Sequence, residues 1–235
     1  MKFYKSCIKL VQKLLLFFNI YVSKKIQRNE EQLVTEIYHN ILFNSGGILH
    51  IGAHAGQESG LYNDLGKKVI WIEAVPEIYN RLLLNISKFA NQHAICALVG
   101  DRNKAKVPFH YASNDGGSSS IFKFDTGAKV WNVSTSETIE MNMVRLDNLL
   151  SLKDLNLIDH WVIDVQGAEY LVLKGAGKLL ESCKSIFIEI STSNYYFDGA
   201  TWLQISNYLS ENNFYPLWRP LENSHTDILF IRNSK

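Results

Sequence analysis

The sequence predicts an α/β fold: a mostly parallel seven-stranded sheet with helices on both faces and an antiparallel hairpin at the C-terminus. Three observations predict it. From Gly47 onward, short apolar runs alternate with segments of helical period, the mark of a parallel sheet. Two of those runs, 68–73 (KVIWIE) and 160–165 (HWVIDV), have continuous apolar centres, as strands covered on both faces must have. The chain then closes with two extended runs, 214–219 and 227–232, with no helix between them.

Each element can be justified in order. Residues 31–42 read as a helix that Asn44-Ser45-Gly46-Gly47 ends. Residues 48–51 form a short buried strand running into Gly52. Residues 57–65 read as a helix stopped at Gly66, and 68–73 as the second strand. Pro76 suits the first turn of a helix reaching about Phe89. Residues 93–99 are the third strand, 106–111 a short extra strand, 114–120 (NDGGSSS) a loop, and 138–145 an alternating extended segment. A short helix over 146–152 precedes the fourth core strand at 160–165. A helix over 168–180, the fifth strand at 185–190, a helix over 200–212 and the closing strand pair complete the chain. The expected division is 1–45 as an N-terminal amphipathic segment and 46–235 as the main domain.

Composition bounds the function. The 235 residues are 46% apolar and 20% charged, with a net charge of +1, ordinary for one globular domain with a core of its own. No global basic excess points to nucleic acid. The cysteines, Cys7, Cys96 and Cys183, are sparse and far apart, so neither a zinc knuckle nor a redox pair is encoded, and a reducing, cytoplasmic setting is expected. The first segment is locally biased: Lys2, Lys5, Lys9, Lys13, Lys24, Lys25 and Arg28 precede the first acid, Glu30. On a helical wheel Phe3, Cys7, Leu10, Val11, Leu14, Phe17 and Phe18 share one face, opposite the first four lysines. The apolar stretch is too short to span a bilayer, and Lys9 and Lys13 interrupt it where a signal peptide would be apolar. The expectation is an amphipathic helix, packed on the core or on a second subunit in a homo-oligomer, or making peripheral membrane contact through residues 1–25.

Three motifs carry the chemistry. In HIGAHAGQESG, residues 50–60, a buried strand meets Gly52, with Gly56 and Gly60 following. A backbone that approaches a ligand this closely needs residues without Cβ. The spacing is not the G-x-G-x-x-G that cradles a pyrophosphate, although an ordinary strand-to-helix turn would also use glycine here. Glu73 ends the second strand about 20 residues after Gly52, the offset at which an acid accepts hydrogen bonds from ribose hydroxyls. In WVIDVQGAEYLVLKGA, residues 161–176, Asp164 lies at the carboxyl edge of the sheet, where open α/β sheets bind ligands. Gly167 allows the turn. Glu169 opens the next helix, where a carboxylate also favours the helix dipole.

Together these pieces resemble the FkbM family of S-adenosylmethionine-dependent methyltransferases. The resemblance rests on HIGAHAGQES, VIWIEAVPEIYNRLLLN, GGSSSIF, VRLDNLL and above all IDVQGAEYLVLKGAGKLL, and spans about Gly47 to Ser191. It implies a Rossmann-like class I methyltransferase fold, S-adenosylmethionine as cofactor, and O-methylation of a hydroxylated small molecule or glycan, with no nucleic-acid partner. The implied cofactor residues are Gly52, Ala53, His54, Gly56, Glu73, Ala74, Asp101 and Asp164. The sequence departs from the family at His50, where an apolar residue is usual, at His54 in place of Asn, and at Gln166 in place of Glu. The missing dinucleotide fingerprint and the terminal hairpin disfavour the alternative of an NAD-dependent oxidoreductase. A non-catalytic S-adenosylmethionine-binding module is the other alternative, which Gln166 and the N-terminal segment leave open.

An alcohol is a poor nucleophile, so a general base is expected within hydrogen-bond reach. The candidates are Asp164, Glu169, Glu189 and His54, in that order. A structural role is as consistent for Glu189, and His54 suits fixing the loop better than catalysis. His225 is expected at the surface. The Gly116–Ser120 loop could close over cofactor or acceptor. No His/Asp/Glu set stands at metal-ligand spacing, so no metal is expected. No Pro-Pro-aromatic motif follows Asp164, which disfavours methylation of a flipped nucleobase.

Overall fold

The computed structural model describes residues 30–233. The amphipathic segment expected over the first 25 residues lies outside them. Helix α1, Glu30–Asn44, leads into β1, Gly47–Ile51, followed by α2, Ser59–Asp64, β2, Lys68–Glu73, and α3, Pro76–Ile86. Strands β3, Gln92–Cys96, β4, Leu98–Gly100, β5, Lys104–Ala112, and β6, Thr135–Arg145, come next. Then follow β7, His160–Ile163, α4, Glu169–Ala176, a 3-10 helix at Gly177–Ser182, and β8, Ser185–Ser191. Helix α5, Trp202–Glu211, and the strands β9, Phe214–Pro216, and β10, His225–Arg232, close the chain.

The main sheet has seven strands in the order β3-β2-β1-β7-β8-β10-β9. From β3 to β8 every pairing is parallel; β10 runs antiparallel to both β8 and β9. The order reverses at β1, so β1 and β7 leave a crevice at their carboxyl ends, the usual ligand site of an open α/β sheet.

All five residues of β1 are buried because both faces are covered. Leu49 and Ile51 point into the larger core with Trp161 and Ile163 of β7, under Val172 and Leu173 of α4 and Ile205 and Leu209 of α5. The alternate residues face the other side. There Ile48 and Trp71 pack with Tyr62 of α2 and Leu82 and Ile86 of α3, and Ile37 and Ile41 of α1 pack on Leu217 and Leu229. His50 belongs to this second face, its ring stacked on Trp71 at 4.9 Å. Burial pushes His50 and its diagonal neighbour His160 down to about 3, so both sit in the core as neutral imidazoles.

The expected extra strands at 106–111 and 138–145 do more than decorate the fold. They belong to β5 and β6, which with β4 form a separate sheet in the order β4-β6-β5. The expected third strand over 93–99 is therefore two: β3 stays in the main sheet and β4 leaves it at Ala97. The expected helix over 146–152 is a single turn, Leu146–Leu149. Among the described residues, no helix is long and apolar enough to cross a membrane.

Candidate active site

A cavity of about 360 Å³ lies at the carboxyl ends of β1, β2 and β7. Gly52, Ala53, His54, Glu73, Ala74 and Asp164 line it, so most of the residues expected to touch cofactor share one cleft. Gly52 turns the chain with φ of 83°, and a Cβ there would stand 1.6 Å from the Asp164 carbonyl oxygen. No other residue fits, because the Asp164 carbonyl occupies the space a side chain would take.

Glu73 is 7% exposed. One carboxylate oxygen accepts from the His54 N–H at 2.8 Å and the other from the Val75 N–H at 2.9 Å. The carboxylate thereby fixes the glycine turn. Each oxygen retains a second lone pair for a ligand hydroxyl. Burial raises its pKa against the pull of those two donors.

Two expected cofactor residues lie elsewhere. Gly56, φ 70°, does not line the cavity; its missing Cβ leaves room for Leu82, and its N–H donates to Ala53 within the turn. Asp101 sits outside the cavity, where Lys174 at 3.1 Å and Arg102 at 2.9 Å take its carboxylate. It follows β4, which has left the main sheet, so the chain carries it away from the crevice. Sequence reasoning missed Glu58, which lines the cavity directly, and its pKa is raised by burial and by Asp164. Its signal was its place in the glycine turn's GQES run. The far end is walled by Leu98 and Val99 of β4, Phe109 of β5 and Ile121. Those apolar walls are what the small sheet contributes.

The second half of the site is the corner after β7. Gln166 and Gly167 are both left-handed, with φ of 56° and 96°. Gly167 and Val165 donate their N–H groups to one oxygen of Glu169, at 3.0 and 3.1 Å. Glu169 thus closes the corner on which α4 begins; it is buried, which raises its pKa. Gln166 holds its strained backbone through its side chain. Its Nε2 donates to Asp164 at 2.6 Å and to Glu189 at 2.9 Å, while its Oε1 accepts from the Tyr196 hydroxyl at 2.7 Å.

Asp164, Glu169 and Glu189 therefore meet, each offering an oxygen within 4.8 Å of the others. The spacing along the chain hid this set, because two strand ends and a helix start supply it. Burial beside Asp164 and Glu169 pushes Glu189 well above the ordinary carboxylate range.

His54 has no nitrogen free for chemistry. Gln57 Nε2 donates to its Nδ1 at 2.9 Å, which leaves Nε2–H to donate to the Asp115 carbonyl at 3.0 Å. Arg81 pairs with the Asp115 carboxylate at 2.5 Å. These contacts fasten the serine loop across the cavity, where Gly116, Gly117, Ser119 and Ile121 line it. Ser120 donates to the Gln166 carbonyl at 2.7 Å and latches the loop to the corner. His225 is not a surface residue: its Nε2 is 2.6 Å from Glu189 and its Nδ1 is 2.8 Å from Ser191 Oγ.

Glu58, Glu73 and Asp164 thus face one cavity that no Lys or Arg lines. Such a field favours a cationic ligand and opposes a phosphate-bearing one.

Residues 50–216 match the family described as the methyltransferase FkbM domain. No curated protein sequence matches significantly. Among solved structures, the N-terminal domain of EvdMO1, in the presence of SAH and D-fucose, aligns over 100% of this chain and 98% of its own, at 10% identity and a TM-score of 0.50. An uncharacterized protein from Listeria monocytogenes serotype 4b aligns over 89% and 70%, at 11% identity and 0.49. Magnesium protoporphyrin IX methyltransferase from Synechocystis PCC 6803, with bound SAM, aligns over 86% and 80%, at 10% identity and 0.43.

Proposed function

The chain belongs to the FkbM family of S-adenosylmethionine-dependent methyltransferases, and on that premise we propose that it methylates a hydroxyl of a carbohydrate or a related hydroxylated metabolite. The observation that carries the reading is the acidic cavity. S-adenosylmethionine carries positive charge at sulfur and at its amino group against a single carboxylate, and a lining with three carboxylates and no Lys or Arg suits that net positive charge. The pyrophosphate of a nicotinamide dinucleotide would meet only negative charge there.

The residues fit the cofactor in an ordered way. Glu73 would take the ribose hydroxyls with the lone pairs its backbone donors leave free. The apolar walls at Leu98, Val99 and Phe109 would hold the adenine. Glu58 and Asp164 would face the sulfonium and the amino group of the methionine end. When bound, the cofactor supplies an electrophilic methyl group. The protein orients the acceptor, excludes water and removes a proton. The carboxylate cluster behind Asp164 is the proton sink, and Gln166 orders it. Glu169, bound to two backbone N–H groups, holds the corner.

The test is a transfer assay with tritiated methyl S-adenosylmethionine, purified protein and glycans fractionated from cell extract. Label should appear in a carbohydrate fraction and survive mild base, as a methyl ether does. Label that mild base releases, label confined to nucleic acid, or none in any hydroxylated fraction contradicts the reading.

A further inference from the structure

A second cavity, of about 430 Å³, opens on the other side of the Gly167 corner. Its walls come from the loop after β8, the start of α5 and the turn before β10. The size falls within the range of small-molecule sites, about 300–1,000 Å³. Its chemistry differs from that of the cofactor side. Ser191, Thr192, Asn194 and Asn223 offer hydroxyls and amides, Trp202 offers a ring, and Glu222 is the only charged residue in the lining. Hydroxyls and amides around an aromatic ring match a neutral ring bearing several hydroxyls, whose C–H face packs on the indole.

A hydrogen-bonded chain joins the two cavities. Ser191 Oγ, in the second cavity, lies 2.8 Å from His225 Nδ1, and His225 Nε2 lies 2.6 Å from Glu189. The other Glu189 oxygen accepts from Gln166, which also donates to Asp164 in the first cavity. Trp131 and Tyr195 hold the imidazole, with ring centroids 4.9 and 5.2 Å away.

Building on the function proposed above, we propose that the second cavity seats a neutral polyhydroxylated ring and that Ser191, backed by His225 and Glu189, takes the proton from its reacting hydroxyl. The acceptor oxygen bonds to the methyl carbon as the methyl–sulfur bond breaks, and sulfur keeps the electron pair. The acceptor's proton passes to Ser191 Oγ while the serine's own proton passes to His225 Nδ1. The imidazolium that forms faces Glu189 through Nε2. The groups around this pair are Asp164 and Glu169 from the β7 corner, Asp227 opposite on β10, and Tyr196 from the loop after β8. Burial raises Glu189 and lowers His225. The pair can accept a proton only after losing the one it shares, so kcat rises with pH through that ionisation.

The experiment uses the full chain, the glycan fraction labelled in the assay above, and calorimetric titration with S-adenosylmethionine. Trp202→Leu keeps an apolar group against Phe230 and removes the flat face; acceptor KM should rise about tenfold, with cofactor affinity within about twofold. His225→Gln should lower kcat about 100-fold or more and abolish the rising limb of the pH profile, with cofactor affinity unchanged. If His225→Gln fails to fold, Ser191→Ala gives the same reading. Wild-type kinetics and an intact rising limb in these variants overturn this inference alone. A wild-type protein that binds cofactor and labels no hydroxylated fraction overturns the functional reading beneath it.

Discussion

The two cavities lie on either side of the corner at Gln166 and Gly167, yet they are held in different ways. On the cofactor side the fixed carboxylates are held by main-chain N–H groups. Glu73 is set by His54 and Val75, and Glu169 by Val165 and Gly167. On the other side the contacts run between side chains: Ser191 to His225, His225 to Glu189, Ser193 to Asn223. A site held by backbone depends on the turn, so its residues must stand at set spacings. A site held by side chains can be assembled from segments at any separation along the chain. Substitutions on the first side should therefore affect folding and cofactor binding together, and those on the second should affect acceptor binding and turnover while leaving cofactor affinity in place.

The largest expected effect is at Gly52. Gly52→Ala drives a Cβ into the Asp164 carbonyl and demands a φ that L residues avoid. Calorimetry should detect no S-adenosylmethionine binding, and the melting temperature should fall. Asn194→Ala, across the corner, should leave both unchanged; equal damage from the two would erase the contrast.

Next is Gln166→Glu, which replaces the amide shared by Asp164 and Glu189 with a further acid. The Tyr196 hydroxyl can still donate to one oxygen, but the other is left part-buried against Asp164 and Glu189 with no donor, at a cost of about 1–3 kcal/mol. The new carboxyl should have a raised pKa in the folded state, so stability is kept below the unfolded value and lost as pH rises through the folded one. Denaturant titrations should show the deficit at neutral pH and its recovery near pH 4. A deficit independent of pH would mean that packing, not charge, sets the corner.

A smaller effect tests the second face of the main sheet. His50 and His160, held near 3 in the fold, protonate near 6.5 when unfolded. The unfolded chain binds more protons below 6.5, so stability falls as pH drops from there toward 3. At pH 5 each histidine contributes a loss of about 2 kcal/mol. His160→Leu should flatten that acid limb; an unchanged slope would remove the histidine from the account.

The same contrast explains what the sequence made legible. Gly52, Glu73, Asp164 and Gly167 could be read because turn geometry restricts which residues stand there. The apolar runs of β1, β2, β7 and β8 could be read because both faces are covered. The β4-β6-β5 sheet could not be assembled, because its pairing is set by distant segments and its alternating strands resemble any edge strand. His225 was placed at the surface because nothing local ties it to Glu189, a register neighbour two positions away across β8 and β10. Asp101 reads as a cofactor residue only while a single strand runs through 99. The break at Ala97 undoes that.

The central claim is that the backbone-held acid of β2 grips the cofactor's ribose. The direct measurement is calorimetric titration of the wild type and Glu73→Ala with S-adenosylmethionine, each checked for its folded fraction. Micromolar-range binding in the wild type, weakened by about 1.5–3 kcal/mol in the folded variant, is the expected result. Equal affinity in the two proteins would contradict the claim.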